Sequence, residues 1–166
     1  MRIRRDKRGF TLIELLIVVA IIGIIVAIAI PNLLNAIQRA KQKRTMADMR
    51  SIGTAAEAYA VDTNQYPGAA GCTLPTTLNP SSWSRTFGSS VQDVLQPTYI
   101  KTLPLKDGWN SFFSYQVSTS AQDYGILSAG KNGSIDGCTG GATTDFNSDI
   151  IFSDGQFIQW PEGMQK

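Results

Sequence analysis

At 166 residues, with 43% hydrophobic and 17% charged side chains, the chain is long enough for one modest core and carries no disorder signature. It has no histidine, the commonest general base and metal ligand at neutral pH, and no nucleophile elbow, P-loop or dinucleotide fingerprint, so an enzyme is not expected. The net charge of +2 is uneven: residues 1–9 hold five basic residues against Asp6, the rest holds ten basic against twelve acidic, and no nucleic-acid partner is expected.

Residues 10–30 (FTLIELLIVVAIIGIIVAIAI) are apolar except for Thr11 and Glu14. As a helix they span roughly 30 Å, the thickness of a bilayer core. The basic run before them keeps the N-terminal end in the cytoplasm and sends the rest across. A cleaved signal peptide is one reading, and Ala27-Ile28-Ala29 offers a cleavage pattern, but the apolar run is long for one. A plain membrane anchor is the second, yet it leaves Glu14 unexplained. A charge at that depth costs on the order of 2.5–3.5 kcal/mol and usually marks function or a partner. In the third, a cut between Gly9 and Phe10 creates an amino group whose charge offsets that of Glu14, within one subunit or across neighbours.

The segment Lys7-Arg8-Gly9-Phe10-Thr11-Leu12-Ile13-Glu14 resembles the prepilin cleavage and methylation motif of type IV pilins and of type II secretion pseudopilins. The resemblance implies cleavage after Gly9 by a prepilin peptidase, N-methylation of Phe10 and a register-setting role for Glu14. Pro31 removes one helical hydrogen bond and loosens the turn before it. The resemblance places it where the helix can melt as subunits enter a filament; a simple kink is the other reading.

From Asn32 the helix changes character. Leu34, Ile37, Met49, Ile52, Ala56 and Tyr59 form one apolar stripe. Arg39, Lys41, Lys43 and Arg44 lie mainly off it, most simply as a solvated face just outside the membrane; acidic lipid headgroups or a neighbour's acidic surface are the alternatives. The helix is expected to end near Asp62-Thr63-Asn64, before Tyr66-Pro67. Residues 63–98 read as a partly helical connection in which 89–96 (SSVQDVLQ) forms a short helix capped by Ser90. Strands are expected within 112–118 and 123–129, and a hairpin centred on Asp154-Gly155 within 150–160. The fold class expected is α+β, a type IV pilin-like long helix (10–62) packed on a C-terminal antiparallel sheet of three or four strands. The divisions are a leader (1–9), the long helix with its transmembrane or filament-core half (10–30), the connection (63–98) and the sheet region (99–166).

Two further stretches bear on the branch of the family. Leu103-Pro104-Leu105-Lys106-Asp107-Gly108-Trp109-Asn110 and Tyr124-Gly125-Ile126-Leu127-Ser128-Ala129-Gly130-Lys131-Asn132-Gly133 are similar to segments of major type II secretion pseudopilins. They depart by Gly108 for a proline, Asn132 for an aspartate and a loop lengthened at 137–144. The loop that follows is rich in Asp, Asn and Gly, oxygen donors with tight turns that suit a hard cation, or equally an ordinary turn-rich loop. The resemblance implies a calcium site here, with Asp136, Asp145 and Asp149 as side-chain ligands and Leu127 and Ser134 as carbonyl donors. Cys138 lies in the same loop, and outside the cytoplasm a disulfide to Cys72 is the competing staple, with free thiols the remaining reading. The expected product is a structural subunit of a helical homo-oligomeric filament, most similar to the major pseudopilin of type II secretion; the alternative is a type IV pilin building a surface fibre. Its expected partners are copies of itself, membrane lipid, the prepilin peptidase and an inner-membrane assembly machinery. It would sit in the bacterial inner membrane as a precursor and then in a periplasmic or extracellular filament.

Overall fold

The computed structural model describes residues 9–67, 89–117, 121–136, 140–163 and 165. Residues 1–8, most of the connection at 68–88, and both Cys72 and Cys138 lie outside the described residues, and with them most of the expected leader and the expected disulfide. Helix α1 (Leu12–Thr63) begins at a capping box and runs through Pro31. It closes on Asn64, whose left-handed φ of 60° follows the last helical turn. Both ends agree with the sequence expectation within two residues. The chain divides into two compact units, residues 1–37 and 38–166.

In the first unit every described residue is exposed. That stretch is long and apolar enough to cross a membrane, and water is a poor solvent for such a surface. The second unit has a core. Helix α1 buries Gln42, Thr45, Met49, Ile52, Gly53, Ala55 and Ala56, spaced three and four apart as one helical face requires. The expected stripe is therefore right from Met49 onward, whereas Leu34 and Ile37 are exposed. Gln42, Thr45 and Gly53 belong to the buried face because each has a specific partner there, which hydrophobicity does not reveal. Helix α2 (Ser89–Leu95) adds Val91 and Leu95 to the core; it starts one residue before the expected cap, so Ser90 lies inside it.

Among the described residues the sheet has five strands, not three or four. These are β1 (Ser114–Val117), β2 (Tyr124–Ser128), β3 (Gly141–Thr143), β4 (Ile150–Ser153) and β5 (Gln156–Pro161), in the order β1-β2-β4-β5-β3. All pairs are antiparallel except β3, which lies parallel to β5 at the edge. That edge strand comes from the lengthened loop, where Gly and Thr gave no strand pattern to read. The β4–β5 hairpin turns on Asp154 and Gly155, with φ of 48° and 82°, the geometry that Asp-Gly favours. Asp154 Oδ1 also accepts the Tyr124 N–H at 3.0 Å, tying the turn to β2.

Registered positions Tyr115, Ile126, Phe152 and Phe157 share the face turned to α1. On the opposite face Leu127 and Ile151 are covered by Ile135 and Ile158. Every residue of β1, β2 and β4 is buried, so the polar members of the alternation do not face water. The loop between β2 and β4 folds over that side.

Candidate functional site

The N-terminal end holds the residues expected to serve processing and assembly. Gly9, Phe10 and Glu14 are all exposed. Thr11 and Glu14 form a reciprocal capping box: the Thr11 N–H and hydroxyl donate to Glu14 Oε2 at 2.9 and 2.7 Å, and the Glu14 N–H donates to Thr11 Oγ1 at 3.3 Å. Two of the orphan N–H groups of a helix end are thereby satisfied within the segment itself. In the single subunit Glu14 thus has a local partner. Thr11 is a residue the sequence reading passed over, although the spacing Thr-x-x-Glu before an apolar run is itself the signature of such a box. Pro31 lies inside α1, nineteen residues beyond its start at Leu12.

The Lys106–Asn110 turn is a second organised element. Asp107 is buried, yet its carboxylate is fully engaged. Oδ1 accepts the Trp109 and Ser111 N–H groups, each at 2.9 Å, and Oδ2 accepts the Ser128 hydroxyl at 2.7 Å. Three donors make a buried carboxylate tolerable. The turn is seated on α1: the Gly108 N–H donates to Thr45 Oγ1 at 2.9 Å, and the Trp109 indole N–H donates to Gln38 Oε1 at 2.7 Å. A Cβ on Gly108 would collide with the Lys41 backbone carbonyl. The departure from proline at 108 therefore has a physical reason, since proline has no N–H for Thr45 and its ring would have no space. The sequence reading quoted Asp107 and Gly108 as a resemblance and missed that together they are the joint between helix and sheet.

The Gly-Asp loop brings together two of its three expected ligands. Asp149 is 1% exposed, and its Oδ2 accepts the Asp136 N–H at 3.0 Å. Asp136 in turn accepts the Asn132 side-chain amide at 2.5 Å. Asp145 instead turns on its own segment, its Oδ1 accepting the Asn147 N–H at 2.9 Å. Leu127 is a fully buried residue of β2 packed with Ile151. The Ser134 N–H donates to Asn132 Oδ1 at 2.9 Å. Gly130, with φ 61°, lets this loop pass close to the Asn147 and Ser148 carbonyls. Among the described residues no three acidic, histidine or cysteine side chains gather as a metal centre.

The core between these elements is aromatic. The Tyr124 ring lies 4.6 Å from that of Tyr66 and 6.2 Å from that of Tyr115. Its hydroxyl donates to Glu57 Oε1 on α1 at 2.8 Å. Burial, and then the hydrogen bond donated to Glu57, hold the Tyr124 phenol well above its ordinary value; burial does the same for Tyr115. Nothing in this constellation pairs a base with a nucleophile. It is a structural network.

Comparison with known proteins agrees with this architecture. Residues 4–30 match the model of the prokaryotic N-terminal methylation motif, and residues 32–150 match that of type II secretion system protein G. The chain is 33% identical over 147 residues to the type II secretion system core protein G of Vibrio cholerae, covering 86% of this chain and 85% of that one. It is 30% identical over 146 residues to the Aeromonas hydrophila core protein G, covering 86% and 90%. With the Pseudomonas aeruginosa core protein G it shares 29% over 148 residues, covering 86% and 93%. These matches support the secretion branch over the surface-fibre alternative. With residues 32–150 matched by the protein G model and 33% identity to a relative covered over 85% of its length, the chain belongs to the type II secretion system protein G family.

Proposed function

We propose that this chain is the major subunit of a periplasmic type II secretion pseudopilus, anchored in the inner membrane by residues 10–30 before it assembles. The observation that carries the reading is the protein G match over residues 32–150 joined to a fully exposed apolar helix. Such a surface requires lipid or copies of itself. The methylation motif supports cleavage after Gly9 by a prepilin peptidase and modification of Phe10. In the filament, Glu14 exchanges its Thr11 partner for the Phe10 amine of a neighbour. Deleting the gene in its source bacterium should abolish secretion of folded proteins into the medium; intact secretion with loss of surface fibres would refute the assignment. Complementation with Glu14→Ala should restore membrane insertion but not secretion, and normal secretion by that variant would remove the role given to Glu14.

The β2–β4 loop is proposed to take calcium, with Asp136 and Asp149 as carboxylate donors and Asp145 turning inward to join them. Support comes from the donor set, all hard oxygens, and from the depth of Asp149, whose charge favours a nearby cation. Bound calcium would staple the loop over the outer face of the sheet. In detergent-solubilised full chain, a hundredfold excess over Kd corresponds to about 2.7 kcal/mol of stabilisation. Calcium should therefore raise Tm by several degrees over EDTA, and Asp149→Asn should abolish the rise. Identical melting curves in calcium and EDTA would leave the loop as a turn held by its own hydrogen bonds.

A further inference from the structure

Asn132 is the one asparagine of the chain followed by glycine. At such a step the next main-chain nitrogen can reach the side-chain amide carbon, because glycine puts no Cβ in the way. The β2–β4 loop leaves this step open. Asn132 is exposed, and two bonds fix the orientation of its amide. Oδ1 accepts the Ser134 N–H at 2.9 Å, and Nδ2 donates to Asp136 Oδ2 at 2.5 Å. An Asx turn of this kind, closed two residues on, folds Cγ back over the intervening Gly133 nitrogen, close to an attacking geometry. The Ser134 N–H points at the oxygen that gains charge when Cγ is attacked, as an oxyanion donor does. Among the described residues a Cβ on Gly133 would meet only Ser111 Oγ, at 3.4 Å. A cavity of about 220 Å³, lined by Gly133 with Ser111, Ser114 and Ile135, adds room for the backbone to rearrange and for water. The other loop asparagines differ. Ser111, after Asn110, gives its N–H to Asp107 Oδ1 at 2.9 Å, and Ser148, after Asn147, gives its N–H to the Asp145 carbonyl at 3.2 Å. No such bond engages the Gly133 N–H among the described residues.

We propose that Asn132-Gly133 is a self-modification site, at which the folded chain converts an amide into a carboxylate with water as the co-reactant. The Gly133 nitrogen gives up its proton and bonds to Asn132 Cγ. The Cγ–Nδ2 bond breaks, and Nδ2 takes up a proton and leaves as ammonia. Water then opens the succinimide so formed. Addition at Cγ gives aspartate; addition at the main-chain carbonyl gives isoaspartate, with the backbone rerouted through the side chain. The aspartate product replaces the donor to Asp136 by a second carboxylate at hydrogen-bond distance. Like charges at that range repel, so the clasp between 132 and 136 opens. Ile135, which covers Leu127 and Ile151, lies within that clasp, and the outer face of the sheet loosens with it.

The test uses the full chain in neutral detergent with EDTA, held at physiological temperature for several weeks and sampled by peptide mass spectrometry. The expected result is an amide-to-acid mass gain at position 132, carried by two chromatographically separate products. It should accumulate several-fold faster than at Asn110 or Asn147. Gly133→Ala should slow it several-fold. Asn132→Gln keeps an amide but must close a larger ring, and should gain no acid. Asn132→Asp, made directly, should melt a few degrees below wild type in EDTA. An Asn132 that stays intact in the folded chain, while the same chain in urea converts, overturns the proposal, because the two hydrogen bonds then protect the amide. Equal rates at the three asparagines also overturn it, because the loop then contributes nothing. A single aspartate product, or a rate unchanged by Gly133→Ala, overturns ring closure in favour of direct hydrolysis. An Asn132→Asp chain that melts with wild type overturns the opening of the clasp.

Discussion

A single buried carboxylate shows how sequence and structure diverge at the scale of the residue. Asp107 stands in a segment legible by resemblance, but its work is to gather the Trp109 and Ser111 N–H groups and the Ser128 hydroxyl at one point. Replacing it by Ala strands one buried donor, the Ser128 hydroxyl, and two half-buried N–H groups, the buried one costing about 1–3 kcal/mol. Asp107→Ala should lose about 2–3 kcal/mol and drop Tm by roughly 5–10 °C, while Asp107→Asn, which keeps an acceptor, loses less. Melting of the alanine variant within a degree of wild type would show that these bonds are replaced by water. Glu14 teaches the complementary lesson. A role for Glu14 was expected from a charge in an apolar run, but its local partner Thr11 was not, because the capping box is a pattern of two residues and a lone charge draws attention to one.

At the scale of elements, the helix and the antiparallel strands followed from periodicity and turn chemistry, and the hairpin at Asp154-Gly155 from its dipeptide alone. What periodicity could not supply was which helix positions need to be small. Gly53 lies where α1 crosses the sheet, and a Cβ there would meet the Phe152 ring at 2.5 Å and the Tyr124 hydroxyl at 2.7 Å. Glycine inside a helix ordinarily costs about 1 kcal/mol relative to alanine. Here overpacking costs about 1–3 kcal/mol, so Gly53→Ala should destabilise on balance. In a Phe152→Leu background the same substitution should become neutral or stabilising, and a denaturation double-mutant cycle measures the coupling. Additive effects would mean that the ring moves aside at little cost. Strand β3 was missed for a related reason. It is three residues of Gly, Ala and Thr whose pairing is decided by β5, and tertiary context outweighs the weak β preference of such a segment.

The whole molecule is a helix-on-sheet core whose centre is tyrosine. Tyr66, Tyr115 and Tyr124 are held above their ordinary value of 10.0, chiefly by burial. In the unfolded chain these phenols ionise near that value, so above it the unfolded state binds fewer protons than the folded one. Stability is therefore fully present below pH 10 and falls as pH rises past it. Absorbance at 295 nm should show fewer than the five tyrosines of the chain titrating before unfolding, with the remainder appearing together with loss of helical circular dichroism. Five phenols titrating smoothly in a still-folded protein would contradict the buried core. Family and branch were legible at this scale because the N-terminal motif and the tryptophan turn are local strings. The covered outer face of the sheet was not, because it depends on how the β2–β4 loop returns to pack Ile135 against Leu127 and Ile151.

The seat of the Lys106–Asn110 turn carries an evolutionary consequence. The Thr45 hydroxyl donates to the Lys41 carbonyl at 2.9 Å while accepting the Gly108 N–H, so two positions sixty-three residues apart are bound by one proton and one lone pair. A lineage that replaces Gly108 by proline loses the donor, and with it the reason to keep a hydroxyl at 45. A hydroxyl lost at 45 is then tolerated more easily in a proline lineage than in a glycine one, while the proline itself also requires the Lys41 carbonyl to give way.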